Sequence, residues 1–503
     1  MNLNIKRTLL AAVTLTAGIS GACAAPPENV VELNVTREKI SEGFIGNGIQ
    51  FGLYEHCHDK NSYWGKGFNM WMDDAMWDKT FERLDFMRPG LVRTMVSQAF
   101  FSNVGKDAEG NTRFDLDHKI GVAEKWLDYC DRNKITVLWG EWGTGKIAEI
   151  TDPAWAKAVV RFAGHLIDDK GHRSIKYLTG VNEPDGGWTE ATKGEYEPWR
   201  SANENLSREI REQGLSGKLS LGAPDACPGI TGTKFIERTA QDFSEEPGVW
   251  NIHIYPYTED IRNGSYERSI RQWHGILGRH KKLVIGEIGM KYKQGTPAKE
   301  ENLRRAKEDP MHKSDTLGGS NMFVYDFFYG VDLADLYIQC MRGGISGACA
   351  WMLCDAMNSS PGQLMRRWGM WNIFGSKMGF PEDENIRPWF YTVSLLSRYF
   401  PAGSDILDIE GATGEGLHAV AGSLGGEITV AVVNNSDEAR TVNLRINGEG
   451  KRKLRYYNYF DDDRPTDKKQ LPVPKQIRKT DLSKTVTIRM PSKGFVLLTS
   501  LDY

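Results

Sequence analysis

The sequence predicts an α/β fold: a (β/α)8 TIM barrel with a C-terminal antiparallel β-sandwich that an N-terminal strand completes. Between residues 44 and 400, eight short apolar runs alternate with segments of helical period, the pattern of a parallel barrel. No Gly-rich dinucleotide fingerprint follows the first run, which weighs against an open doubly wound sheet. Beyond residue 402 the runs become short, alternating and turn-bounded, as in sandwiches.

In chain order, residues 1–24 carry Lys6 and Arg7, an apolar stretch from Leu9 to Ile19, and the small residues of "SGACAA". That order is a secretory signal with cleavage after Ala24, and it places the mature chain in the periplasm or outside the cell. Cys23 offers a second route, a lipoprotein anchor. Ser20 stands where such signals usually carry an aliphatic residue, so soluble export is the preferred reading. Residues 25–43 contain "NVVELNVTRE" (29–38), a strand expected to join the C-terminal sandwich.

The barrel, residues 44–400, has strand candidates at 44–51, 91–97, 135–142, 175–183, 219–226, 250–257, 282–290 and 347–356. Helices are expected at 122–133, 198–214 and 387–400, the last with Pro388 near its start. Long insertions at 52–73, 291–327 and 357–386 follow strands, so they are expected on the catalytic face. In the sandwich, residues 401–503, strands are expected at 428–436, 440–446, 452–460, 485–491 and 494–500, with 461–484 as one surface loop.

The net charge of −3 becomes −5 when Lys6 and Arg7 leave with the signal, and no basic stripe favours nucleic acid. No later run is apolar and long enough to cross a membrane. The six cysteines outside the signal form no zinc signature and read mostly as buried thiols. No pattern specifies an oligomeric state.

Two acids stand out. Glu183 in "GVNEP" closes the fourth strand, and Glu287 in "VIGEIG" closes the seventh. Strands four and seven face each other across a barrel mouth, and a buried carboxylate is costly unless partnered or used. One strand-end glutamate is readily explained as solvated or salt-bridged. Two on facing strands point to paired-carboxylate chemistry on a glycosidic bond.

These motifs resemble the fourth- and seventh-strand motifs of clan A of the glycoside hydrolases, retaining enzymes on a (β/α)8 barrel. The added sandwich is similar to that of the xylosidase, glucosylceramidase-like, glucuronidase and arabinofuranosidase branches. The resemblance implies that Glu183 is the general acid/base and Glu287 the nucleophile. It implies that Asn182 binds the sugar 2-hydroxyl, that Arg93 keeps the nucleophile ionised, and that Tyr255 hydrogen-bonds it. His253 lines the same wall or is simply a buried, satisfied histidine; Arg93 has a structural ion pair as its blander account. Trp351 matches the aromatic floor beneath the sugar. Trp139, Trp142 and Glu141 on strand three, and Trp188 after the acid, are further platform or hydroxyl-binding candidates, each open to a core role instead. Burial and the neighbouring negative charge are expected to raise the pKa of Glu183.

The implied partner is an oligo- or polysaccharide, and the two carboxylates require no metal or organic cofactor. The sugar, the linkage, and chain-end or internal cleavage stay open, with an α-L-arabinofuranosidase as one alternative. A metal-dependent barrel hydrolase would use His56 and His58 of "YEHCHDK", with His253 and Asp355, but strand five lacks the histidine that fold needs. A non-catalytic glycan-binding protein is the remaining alternative.

Overall fold

The computed structural model describes residues 29–503 apart from 54–70, 99–101, 111, 143–146, 310–318, 358–364, 415 and 449. Eight parallel strands close into a barrel. Strands one to eight are Gly48–Gln50, Leu91–Val96, Thr136–Glu141, Ile175–Thr179, Ser220–Ala226, Pro247–Ile254, Leu283–Ile288 and Gly347–Ala350. Seven lie within the runs seen in the sequence, and Pro247–Ile254 overlaps its run but begins three residues before it. Helices cover the outside and side chains fill the inside, so these strands are apolar almost throughout; Leu91–Val96 and Leu283–Ile288 are buried at every position. Strand eight pairs with strand one through Cys349–Gly48 and Ala350–Ile49, which closes the ring.

The expected helices form at Gly121–Arg132, Tyr196–Glu212 and Trp389–Arg398, with Pro388 as the N-cap of the last. Tyr196–Glu212 buries Trp199, Leu206 and Ile210 on one face and pairs Arg200 with Glu204 at 3.0 Å on the other. The insertion after strand seven contains a helix, Pro297–Glu308, whose first turn is capped by the Thr296 hydroxyl accepting from the Lys299 N–H. The insertion after strand eight is pinned by Arg367 and Arg387, which converge on the buried Asp355 and on Asp383.

The C-terminal strands form one curled sheet. Its path is Gln476–Asp481, Lys451–Tyr459, Gly494–Thr499, Glu427–Asn434, Leu417–Leu424, Asp405–Glu410, Val30–Ser41, Arg440–Ile446 and Val486–Met490. Period-two alternation gives the central strands two apolar faces. Val430, Val432, Ala419 and Leu498 fill the core inside the curl, whereas Ala431, Val433, Val420 and Leu497 join the barrel's core. The N-terminal strand does join this sheet. It runs antiparallel to Asp405–Glu410 but parallel to Arg440–Ile446, so the sheet is mixed at that one pairing.

Along this path three strands were not foreseen: Asp405–Glu410, Leu417–Leu424 and Gln476–Asp481. The last corrects the single loop expected over 461–484. It pairs along Lys451–Tyr456 at the sheet edge, where its side chains stay exposed or half-buried and carry no apolar alternation.

Helix Phe327–Arg342 lies between barrel and sheet and is buried nearly throughout, which explains its all-round apolar character. Across this seam Asn435 donates to Asp332 Oδ1 at 2.8 Å and Asp335 Oδ2 at 2.9 Å, and the Tyr459 hydroxyl donates to the Phe327 carbonyl. Among the described residues no helix is long and apolar enough to cross a membrane. Cys130, Cys227, Cys340, Cys349 and Cys354 are buried free thiols. The signal segment with Cys23, and His56, Cys57 and His58, lie outside the described residues.

Candidate active site

The barrel brings Glu183 and Glu287 to one end of its strands. Glu287 is the fifth residue of strand seven and pairs in register with His253 on strand six. Glu183 follows strand four and has a φ of +46°, with its N–H on the Asp225 carbonyl. A glutamate in the left-handed region carries local backbone strain, a feature that clusters at functional sites.

Arg93, fully buried on strand two, organises the floor. Its Nη1 donates to Glu287 Oε1 at 2.6 Å and also to Gln50; its Nη2 donates to Asn182 Oδ1 and Asp225 Oδ2, both at 2.7 Å. The Tyr255 hydroxyl donates to Glu287 Oε2 at 2.5 Å. Both groups therefore reach the carboxylate that the sequence marks as nucleophile. Gly286 makes room for this: a Cβ there would meet Asn251 Oδ1 at 2.5 Å and Arg93 Cδ at 3.1 Å.

Glu183 is held by two donors. Trp188 Nε1 donates to Oε2 at 2.7 Å, and His253 Nδ1 lies 3.2 Å from Oε1. His253 Nδ1 is also 3.7 Å from Glu287 Oε2, so one imidazole nitrogen stands between the two glutamates. The other ring nitrogen meets Asp225 Oδ1 at 2.8 Å. Asp225 in turn accepts from Asn251.

The charges follow from this wiring. Burial opposes the imidazolium of His253, but Asp225 and Glu287 outweigh it and push its pKa up to about 10. Burial also opposes the Asp225 carboxylate, and Arg93 and His253 hold it ionised, below its ordinary value. Burial raises Glu287 above its ordinary value against the pull of His253 and Arg93. Glu183 departs from the expectation of a raised acid. Burial does push it up, but the His253 hydrogen bond and charge and the Trp188 N–H bring it down to about 2. These shifts favour protonation of His253 over Glu183.

The remaining candidates divide. Trp351 is half-buried and packs with Met352, Trp368 and Tyr255, the residue that donates to Glu287. Trp188 is 56% exposed over the mouth. Trp142 is half-buried just past strand three, its backbone N–H donating to the Val96 carbonyl. Trp139 belongs to the core, against Phe162, so it is no platform; Glu141 is buried and accepts the Gln98 N–H. Asp355 is tied up by Arg367 and Arg387, which removes it from the metal-hydrolase constellation. Asp225, Gln50, Asn251 and Cys227 were missed by sequence reasoning. For Asp225 a signal existed: an acid near the end of strand five, "LGAPDA", in the same position as the two glutamates. Among the described residues one group could hold a metal ion: Glu183, Cys227 and His253, with ligand atoms within 4.8 Å of one another.

Neither a family model nor a curated protein matches this sequence. Solved structures do. A GH30 endoxylanase from Clostridium papyrosolvens C71 aligns over 94% of this chain and 100% of its own, with a TM-score of 0.58 at 10% identity. The fold is that of these structures. The catalytic domain of GH30 xylanase C from Talaromyces cellulolyticus covers 94% and 100% with a TM-score of 0.59 at 13% identity. A monomeric beta-xylosidase from Caulobacter crescentus CB15 covers 94% and 99% with a TM-score of 0.56 at 12% identity.

Proposed function

We propose that the protein is an exported retaining glycoside hydrolase that cleaves β-linked glycans by double displacement, with Glu287 as nucleophile and Glu183 as acid/base. The observation that carries this reading is the convergence of Arg93 and Tyr255 on one glutamate while a second, separately held glutamate is bridged to it through His253. A single bridging atom is compatible with the spacing of about 5–5.5 Å that retaining chemistry uses. The xylanase and xylosidase names of the solved structures that share the fold agree with it.

The chemistry runs through the charges. A glycan entering the mouth brings its glycosidic oxygen to Glu183 Oε2, where the Trp188 N–H now sits. Withdrawing that donor raises Glu183, so Oε2 takes up a proton from solvent as the glycan binds and, once water is excluded, passes it to the leaving group. Glu287 attacks the anomeric carbon, the glycosidic bond breaks, and the new ester cancels the Glu287 charge. Glu183, now a carboxylate beside imidazolium His253, accepts a proton from water as that water attacks the glycosyl-enzyme. Asn182, positioned by Arg93, is placed for the sugar 2-hydroxyl. The apolar and signal residues of 1–24 support export.

The test is a panel of aryl glycosides and polysaccharides. Glu287→Ala is expected to abolish hydrolysis, and Glu183→Gln to lower kcat on saccharide leaving groups by about 10²–10⁴-fold. Hydrolysis that survives Glu287→Ala would sink the nucleophile assignment.

A further inference from the structure

We propose that Glu183, Cys227 and His253 form an inhibitory binding site for a thiophilic divalent cation of the zinc class. A thiol sulfur, an imidazole nitrogen and a carboxylate oxygen meet with all ligand atoms within 4.8 Å of one another, and His253 Nδ1 and Glu183 Oε1 are 3.2 Å apart. Three protein ligands with an open fourth position is an ordinary zinc arrangement, and this donor set suits zinc better than magnesium or calcium.

The surroundings are those of a metal site. Zinc-bound histidines usually engage a carboxylate through their second nitrogen, which fixes the ring. Asp225 Oδ1 stands 2.8 Å from His253 Nε2, and Arg93 and Asn251 hold Asp225 in place. The backbone that carries the sulfur is held as well. The Cys227 backbone N–H donates to Asp185 Oδ1 at 3.1 Å and Oδ2 at 2.9 Å, which ties the end of strand five to the loop carrying Glu183. The other described thiols, Cys130, Cys340, Cys349 and Cys354, belong to no such group. Cys227 binds as the thiolate and His253 through a deprotonated ring nitrogen, so binding releases two protons to solvent. The bound ion occupies the carboxylate that must deliver a proton to the leaving group, so hydrolysis stops. Inhibition rests on the glycosidase reading above; metal binding does not.

The experiment titrates the purified protein with Co²⁺, whose ligation by thiolate gives a near-ultraviolet charge-transfer band, and follows hydrolysis in parallel. A band that saturates with inhibition, is bleached by Zn²⁺ and is reversed by chelator is expected. Cys227→Ser abolishes the band and raises the inhibition midpoint about 10–100-fold relative to its own metal-free rate, whereas Cys57→Ser keeps both. If Cys227→Ser does not fold, Glu183→Gln serves: the band persists, but its midpoint rises about 10-fold or more. No band in the wild type, a band that survives Cys227→Ser, or one lost in Cys57→Ser overturns the proposal. A Cys227-dependent band in a protein that hydrolyses no glycoside upholds the metal site and removes the glycosidase reading.

Discussion

Between Glu183 and Glu287 one nitrogen, His253 Nδ1, touches one carboxylate and approaches the other, while Asp225 holds the far side of the ring. Such an imidazolium makes stability depend on pH. Its ordinary pKa of 6.5 is raised to about 10 in the fold, so its stabilisation is complete below pH 6.5 and is lost as pH rises through 10. Urea midpoints of the wild type should therefore fall toward those of His253→Gln between pH 6.5 and 10. Asp225→Asn removes the largest opposing charge and should shift that loss to lower pH; parallel curves for wild type and both variants would contradict the wiring. Glu183 and Glu287 were conspicuous as polar residues at the ends of apolar runs, whereas Arg93, inside Leu91–Val96, was singled out only through the family resemblance. Gln50 and Asn251 were not conspicuous, and Asp225, although an acid near the end of strand five, gave no hint of its partners. Their importance lies in contacts across the barrel, between residues far apart in the chain, and no local pattern encodes them.

At the scale of elements, the loop after strand four places an exposed tryptophan on Glu183, the proposed acid/base. Its indole folds over Gly186, where a Cβ would meet three ring atoms at 2.2–2.6 Å. Gly186→Ala should therefore push Trp188 off Glu183. Both Gly186→Ala and Trp188→Phe should cost roughly two- to ten-fold in kcat/KM on saccharide leaving groups, the worth of a stacked aromatic, and less on activated aryl leaving groups. Equal losses on both substrate types would place Trp188 outside the leaving-group side. The barrel strands were legible because strands sheltered on both faces read as apolar runs. Leu417–Leu424 was not, since "LHAVAGSL" follows a glycine-rich stretch that reads as loop; Gln476–Asp481 is an edge strand whose sequence carries no alternation.

For the whole molecule, barrel and curled sheet share helix Phe327–Arg342 and one continuous core, so they should unfold together. Asn435 closes that seam by satisfying two buried aspartates. Asn435→Leu leaves them short of donors and should cost about 1–3 kcal/mol, read as a lower urea midpoint with a single transition. Two separate transitions would show that the sheet is an independent unit. The sequence indicates that the chain's ends meet in one sheet. It does not indicate the parallel pairing of Val30–Val35 with Thr441–Ile446, because register between strands some 400 residues apart is decided by packing.

Double displacement requires Glu287 to form a covalent bond to the sugar. The most direct measurement is mass spectrometry of the protein treated with the 2-deoxy-2-fluoro aryl glycoside of whichever sugar the panel identifies, a substrate class that lets the glycosyl-enzyme form but slows its hydrolysis. The account predicts one added fluorosugar, located by peptide mapping on Glu287 and absent from Glu287→Ala. Turnover without an adduct, or a label on another carboxylate, would contradict it.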